Sequence, residues 1–184
     1  MDVNVENDRA SDQPRVLVVE SNRNFLGVVA RRLAELGHRV ATADNAHSGL
    51  AELYRMPVDL VLCDAKLPGT SGIEFVRMLR EEPVHRELPV LLIVGRSDSA
   101  SAVKAFAAGA DGTVRKPFHF EVLAAAITRY LERSESLKRL VQDNAALDAR
   151  VISRAIELRE MRDQLCAVDS ERRRLAAIVE GKAA

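Results

Sequence analysis

The feature that most narrows the possible folds is Val58-Asp59-Leu60-Val61-Leu62-Cys63, a short apolar run that stops at Asp64. It is bounded by Pro57 before it and Leu67-Pro68-Gly69 after it. Rich in β-branched residues and lacking polar alternation, it predicts a strand buried on both faces. Such strands belong to parallel sheets covered by helices. An acid at the carboxyl end of one stands where open α/β sheets bind their ligands, although Asp64 could equally cap the next loop or helix.

The flanking chain repeats this pattern. Arg15-Val16-Leu17-Val18-Val19 is a second apolar run ending in an acid, Glu20. A helix from Asn22 to Leu36 follows, with Phe25, Leu26, Val29, Ala30 and Leu33 at helical spacing and Gly37 as its stop. His38 to Ala43 alternates and suits an edge strand, and Ala46 to Arg55 reads as a weaker helix. After the Asp64 strand come a helix over Gly72 to Glu82, a strand over Leu88 to Val94 and an alanine-rich helix over Ser97 to Ala108. A short strand over Ala110 to Arg115, then Lys116-Pro117-Phe118, leads into a helix from about His119. Five strands alternating with helices predict an α/β, doubly wound parallel sheet, and the most apolar strands, first and third, belong at its centre. That suits the flavodoxin-like order 2-1-3-4-5, which brings Glu20, Asp64 and Lys116 to one edge.

Composition excludes more than it assigns. Lys plus Arg and Asp plus Glu are both 27 in 184 residues, so no global charge points to nucleic acid or a membrane surface. Cys63 and Cys166 are too far apart in sequence for metal-ligand spacing, and a reducing, cytoplasmic setting explains them most simply. No apolar run approaches the roughly 20 residues of a membrane span, and the polar start is unlike a signal peptide. Residues 1–14 read as a disordered lead-in, 15–130 as the α/β domain and 131–184 as a helical tract.

The motifs in order are Val-Leu-Val-Val-Glu, Asp-Leu-Val-Leu-Cys-Asp-Ala-Lys-Leu-Pro-Gly-Thr-Ser-Gly, Leu-Pro-Val-Leu, Ala-Gly-Ala-Asp-Gly and Lys-Pro-Phe. Together they resemble the receiver domain of two-component response regulators, over Arg15 to about Tyr130. The resemblance implies that Asp64 accepts a phosphoryl group from a histidine kinase and that Lys116 pairs with that group. It also implies a cis peptide before Pro117, and makes Glu20 and Asp64 ligands of Mg²⁺. Three positions depart from the family pattern. Ser21 stands where a second metal-binding acid is usual, Val94 where a hydroxyl residue ends the fourth strand, and Thr113 where an aromatic follows the switch. The expectation is a degenerate receiver, with Mg²⁺ held weakly at most and phosphorylation weak or absent.

Beyond the domain the period becomes seven. Position a holds Leu137, Asn144, Val151, Leu158, Leu165, Arg172 and Val179, and position d holds Leu140, Leu147, Arg154, Met161, Val168 and Leu175. Ten of these thirteen are apolar, enough for a coiled coil, and no proline or glycine interrupts the chain between Phe118 and Gly181. A helix from His119 to Glu180 would be roughly 90 Å long, and its apolar seam requires a partner. Asn144 at an a position favours a parallel homodimer, Arg154 and Arg172 weaken the seam locally, and the alternative is a helix that folds back onto its own domain or onto a different protein. The tract from Asn144 to Asp163 is similar to linkers that join receivers to enzymatic domains, and no such domain is expected before Ala184. The function expected is a two-component signalling module, not an enzyme, with an unidentified downstream protein as its target. The competing readings are a DNA-binding regulator and a fragment of a receiver-linked enzyme. No helix-turn-helix pattern, basic-zipper arm or glycine-rich phosphate loop supports either.

Overall fold

The structure is a computed structural model that describes residues 13–96 and 98–181. Of the lead-in expected over residues 1–14, residues 1–12 fall outside the described residues, as does the helix start expected at Ser97. The chain divides into two units, one ending at Glu135 and one beginning at Ser136.

The first unit carries strands β1 (Arg15–Val19), β2 (Arg39–Ala43), β3 (Leu60–Asp64), β4 (Val90–Val94) and β5 (Gly112–Arg115). Between them lie helices α1 (Arg23–Glu35), α2 (Ala46–Arg55), α3 (Gly72–Glu81) and α4 (Ser99–Ala107), and β5 is followed by α5 (Phe120–Gly181). The sheet is parallel throughout and has the order β2-β1-β3-β4-β5, as the sequence predicts.

Alternation along the strands sends side chains to two cores. Leu17, Val19, Val61, Cys63 and Leu92 meet α2, α3 and α4 through Leu53, Phe75, Leu79 and Ala105. Val16, Val18, Leu60, Leu62 and Ile93 face the other way, onto Val29 and Leu33 of α1 and Leu123 and Ile127 of α5. Every residue of β3 and β4 is buried, which is why these runs carry no polar alternation.

Four strands begin later than the sequence suggests, β2 at Arg39, β3 at Leu60, β4 at Val90 and β5 at Gly112, and before two of them, β3 and β5, an aspartate has other work. The Asp59 carboxylate accepts the Arg15 backbone N–H at 2.9 Å, tying the start of β3 to that of β1. One Asp111 oxygen accepts both Val90 N–H and an Arg80 guanidinium N–H, each at 2.8 Å, so Asp111 clasps β4 instead of extending β5. The helix starts are capped by side chains: Asn22 accepts from Asn24 and Phe25 N–H, and Ser71 with Glu74 forms a reciprocal capping box.

Helix α5 runs unbroken for 62 residues, as the absence of glycine and proline predicts. In the second unit its apolar side chains are open to solvent: Leu137, Leu140, Leu147, Val151, Leu158, Met161, Leu165, Val168, Leu175 and Val179 are each half or more exposed.

Candidate functional site

Parallel strands all present their carboxyl ends at one edge, and there the chain leaves β1 with Glu20, ends β3 with Asp64 and leaves β5 with Lys116. Ladder bonds continue just past these ends. Glu20 N–H donates to Ala43 O (3.0 Å), Ala65 N–H to Ile93 O (2.9 Å) and Lys116 N–H to Val94 O (2.8 Å). The three backbones are therefore fixed by the sheet rather than by loose loops.

The side chains converge. Lys116 Nζ donates to Glu20 Oε2 at 2.8 Å and also to Asp64 Oδ2. Glu20 is 2% exposed and Asp64 8%. Each carboxylate has a second donor: Asn22 N–H reaches Glu20 Oε1 at 2.9 Å, and Lys66 N–H reaches Asp64 Oδ1 at 2.8 Å. All four carboxylate oxygens are thus engaged, as buried acids must be. One ammonium between two carboxylates leaves the cluster with a formal charge of −1.

Burial pulls the Lys116 ammonium toward losing its proton, but hydrogen bonds and charge from Asp64 and Glu20 outweigh it, and its pKa is raised. The Phe25 ring lies 4.5 Å from Nζ, a cation–π contact, and Phe25 packs edge-on against Phe118 at 5.9 Å. Cys63, fully buried beside the site, has its thiol pKa pushed well up by burial and by the charges of Asp64 and Glu20. It is an inert wall, not a nucleophile.

Gly72 packs tightly against the backbone at Asp64 and Ala65. A Cβ there would lie 2.1 Å from the carbonyl oxygen of Asp64, so the start of α3 presses directly on the phosphoacceptor candidate's backbone. The peptide before Pro117 is cis, as the resemblance implies.

The departures fall at structurally distinct places. Ser21 is exposed next to Glu20, and Val94 is buried at the end of β4. Thr113 is apart from the three charged groups and lines a cavity of about 330 Å³ with Leu91, Val114, Ala126 and Tyr130. Sequence reasoning found the charged trio but missed the backbone donors of Asn22 and Lys66 and the ring of Phe25 over Lys116. Phe25 appears in the sequence only as one more apolar helix position.

Mg²⁺ prefers about six oxygen ligands in near-octahedral array. Among the described residues no three His, Cys, Asp or Glu side chains gather to hold a metal. Glu20 and Asp64 are the acids that would hold such an ion, and each of their four oxygens already accepts one hydrogen bond. No described helix has the length and apolarity to cross a membrane.

Comparison with known proteins agrees with this architecture. A family model for the response regulator receiver domain matches residues 16–128. The transcriptional regulatory protein AfsQ1 of Streptomyces coelicolor is 34% identical over 77% of this chain and 60% of its own length. A probable cyclic di-GMP phosphodiesterase of Vibrio cholerae is 28% identical over 82% of this chain but only 34% of its own. The crystal structure of a CheY-like response regulator receiver domain protein from Methanospirillum hungatei superposes with a TM-score of 0.64 and 26% identity, covering 68% of this chain and 98% of that one. The chain spans roughly half to three-fifths of the length of most of the curated relatives it matches.

Proposed function

The chain belongs to the response regulator receiver domain family, and on that premise we propose that it is a two-component signalling module with a weakened phosphorylation site and a dimeric helical output. The observation that carries this reading is the Lys116 ammonium held between Glu20 and Asp64, with Ser21 and Val94 beside it where a metal-binding acid and a hydroxyl are usual.

Asp64 is the phosphoacceptor in this reading. An Asp64 oxygen forms a bond to phosphorus while the bond from phosphorus to a histidine-kinase imidazole nitrogen breaks, and that nitrogen keeps the electron pair. Lys116 supplies the positive charge for the phosphoryl oxygens, aimed by Glu20 and by the ring of Phe25. With no second acid at Ser21, Mg²⁺ is held weakly, so charge neutralisation rests mostly on the lysine and transfer is slow. Val94 offers no hydroxyl to a phosphoryl group, so labelled and unlabelled states differ little in free energy and the population barely shifts.

The output is the helix from residue 131 onward, paired as a parallel homodimer through the seam from Leu137 to Val179. Two observations support it: the ten apolar seam residues are exposed in the single chain, and Asn144 occupies an a position. The likeness to the Vibrio protein spans 151 residues, against 113 matched by the receiver model, so it necessarily continues into α5. That supports a helix that transmits signals rather than one peculiar to this chain. A cytoplasmic location, a histidine kinase as donor and a downstream protein as target complete the proposal.

The test is an intact-mass measurement after incubation with acetyl phosphate and Mg²⁺, beside Asp64→Asn. Slow, partial labelling that is lost in the variant is expected. Rapid, stoichiometric, Mg²⁺-dependent labelling would overturn the weakened-site reading and leave an ordinary phosphorylated receiver.

A further inference from the structure

The trio at the sheet edge leaves one negative charge uncompensated, since Lys116 faces both Glu20 and Asp64 and both acids are buried. That charge acts on its surroundings: after burial itself, the charges of Asp64 and Glu20 are what raise the Cys63 thiol pKa. A phosphoryl donor brings negative charge of its own and is repelled unless further positive charge meets it. An acid at position 21 would leave the site two charges short of neutral, a deficit that suits a divalent ion. With Ser21 there the deficit is one, and a single ammonium cancels it.

Lys66 carries such an ammonium. It follows Asp64 by two residues, and its backbone N–H donates to Asp64 Oδ1 at 2.8 Å, so its flexible four-carbon stem starts one hydrogen bond from the acceptor carboxylate. The side chain is exposed, and among the described residues its ammonium has no hydrogen-bond partner. Its charge reaches Asp98, the N-cap of α4. There, hydrogen bonds from Ser101 do most to lower the carboxyl pKa, and the charges of Lys66 and Lys104 add to them. Asp98 follows β4 as Lys66 follows β3, which keeps the ammonium at the carboxyl edge of the sheet, beside the site.

Resting on the phosphoacceptor reading above, we infer that Lys66 is a catalytic residue of Asp64 phosphorylation, its ammonium supplying to the phosphoryl oxygens the charge that a metal ion would otherwise bring. With acetyl phosphate as donor, an Asp64 oxygen forms the bond to phosphorus while the bond from phosphorus to the acetate oxygen breaks, and acetate leaves with the electron pair. Lys66 and Lys116 stay protonated throughout. One is tied by its backbone to Oδ1 and the other donates to Oδ2, so they flank the carboxylate that receives the group. Transfer is therefore independent of metal, and slow, because a solvent-exposed ammonium is screened where a bound divalent ion is not.

The experiment times the labelling of the full chain by acetyl phosphate, read by intact mass, in EDTA and in Mg²⁺, with Asp64→Asn as the blank. The wild type is expected to label at rates within about twofold of each other in the two buffers. Lys66→Met is expected to lose about tenfold in EDTA, less than the loss of a buried oxyanion donor, and Lys66→Arg to keep most of the rate. Methionine leaves the backbone N–H on Asp64 in place, and an unchanged urea midpoint checks that the fold is intact. Adding Ser21→Asp to Lys66→Met is expected to restore labelling in Mg²⁺ and not in EDTA, a split that misfolding would not give. A wild type whose labelling EDTA abolishes, or a Lys66→Met variant that labels in EDTA as fast as the wild type, overturns the role of Lys66 and leaves Asp64 as the acceptor. No Asp64-dependent label in either buffer overturns the acceptor reading and the role of Lys66 together.

Discussion

Lys116 is the residue on which the site depends, because its ammonium reaches both buried acids. Replacing it by methionine leaves Glu20 and Asp64 facing each other without a cation, at an expected cost of about 1–3 kcal/mol at neutral pH. Urea unfolding of the variant beside the wild type at neutral pH would show this deficit. The lysine itself titrates above its ordinary value. Its contribution is therefore complete below that ordinary value and is lost only as pH rises through the higher folded-state pKa. Wild-type stability should show no Lys116-linked change between pH 6 and pH 9, roughly the range well below an unperturbed lysine. Ser21→Asp restores one charge beside the metal position. At 4 Å a unit pair is worth ~4 kcal/mol at an effective dielectric of 20, and a divalent ion doubles that before desolvation subtracts several. A net ~3 kcal/mol raises Mg²⁺ affinity by more than a hundredfold, readable by calorimetry. Structural change on labelling should need Val94→Thr as well, which amide chemical shifts before and after acetyl phosphate would show.

Among the elements, α3 and α1 hold the site's backbone in place. Gly72→Ala drives a methyl against the Asp64 carbonyl, with an expected loss of about 1–3 kcal/mol and poorer acetyl-phosphate labelling even in the Ser21→Asp background. Asn22→Ala, which uncaps α1, should cost about 1 kcal/mol and leave labelling nearly unchanged, since Asn22 reaches Glu20 through its backbone N–H rather than its side chain. Denaturation midpoints of the two variants separate these effects. The contrast also marks what a reader of the sequence can see. Glu20, Asp64 and Lys116 are legible because each follows or ends an apolar run, and parallel topology then places run ends together. The role of Gly72 is not legible: a glycine opening a helix says nothing about which carbonyl lies behind it. The same holds for Lys66, whose hydrogen bond to Asp64 comes from a backbone nitrogen positioned by the turn through Ala65, and for Phe25, whose spacing predicts a core position and nothing about a lysine 91 residues later. Asp111 was misplaced for a related reason, since a strand ladder and an aspartate clasp look alike in a short run such as Ala-Asp-Gly-Thr-Val.

For the whole molecule, the proposal separates a folded unit from an associating one. Removing residues after Glu135 should leave a monomer with cooperative unfolding, whereas the full chain should melt at a temperature that rises with protein concentration. A truncated form that still associates as tightly would move the interface into the first unit. The two cysteines make the arrangement measurable without mutation. Cys63 is sealed in the core and Cys166 is exposed on α5, so thiol reagents should modify one position per chain. A nitroxide placed there becomes a molecular ruler. Copies paired in parallel hold their two spin labels at the same height, about 20 Å apart or less. Dipolar spectroscopy on the native chain would thus read chain direction in a single trace.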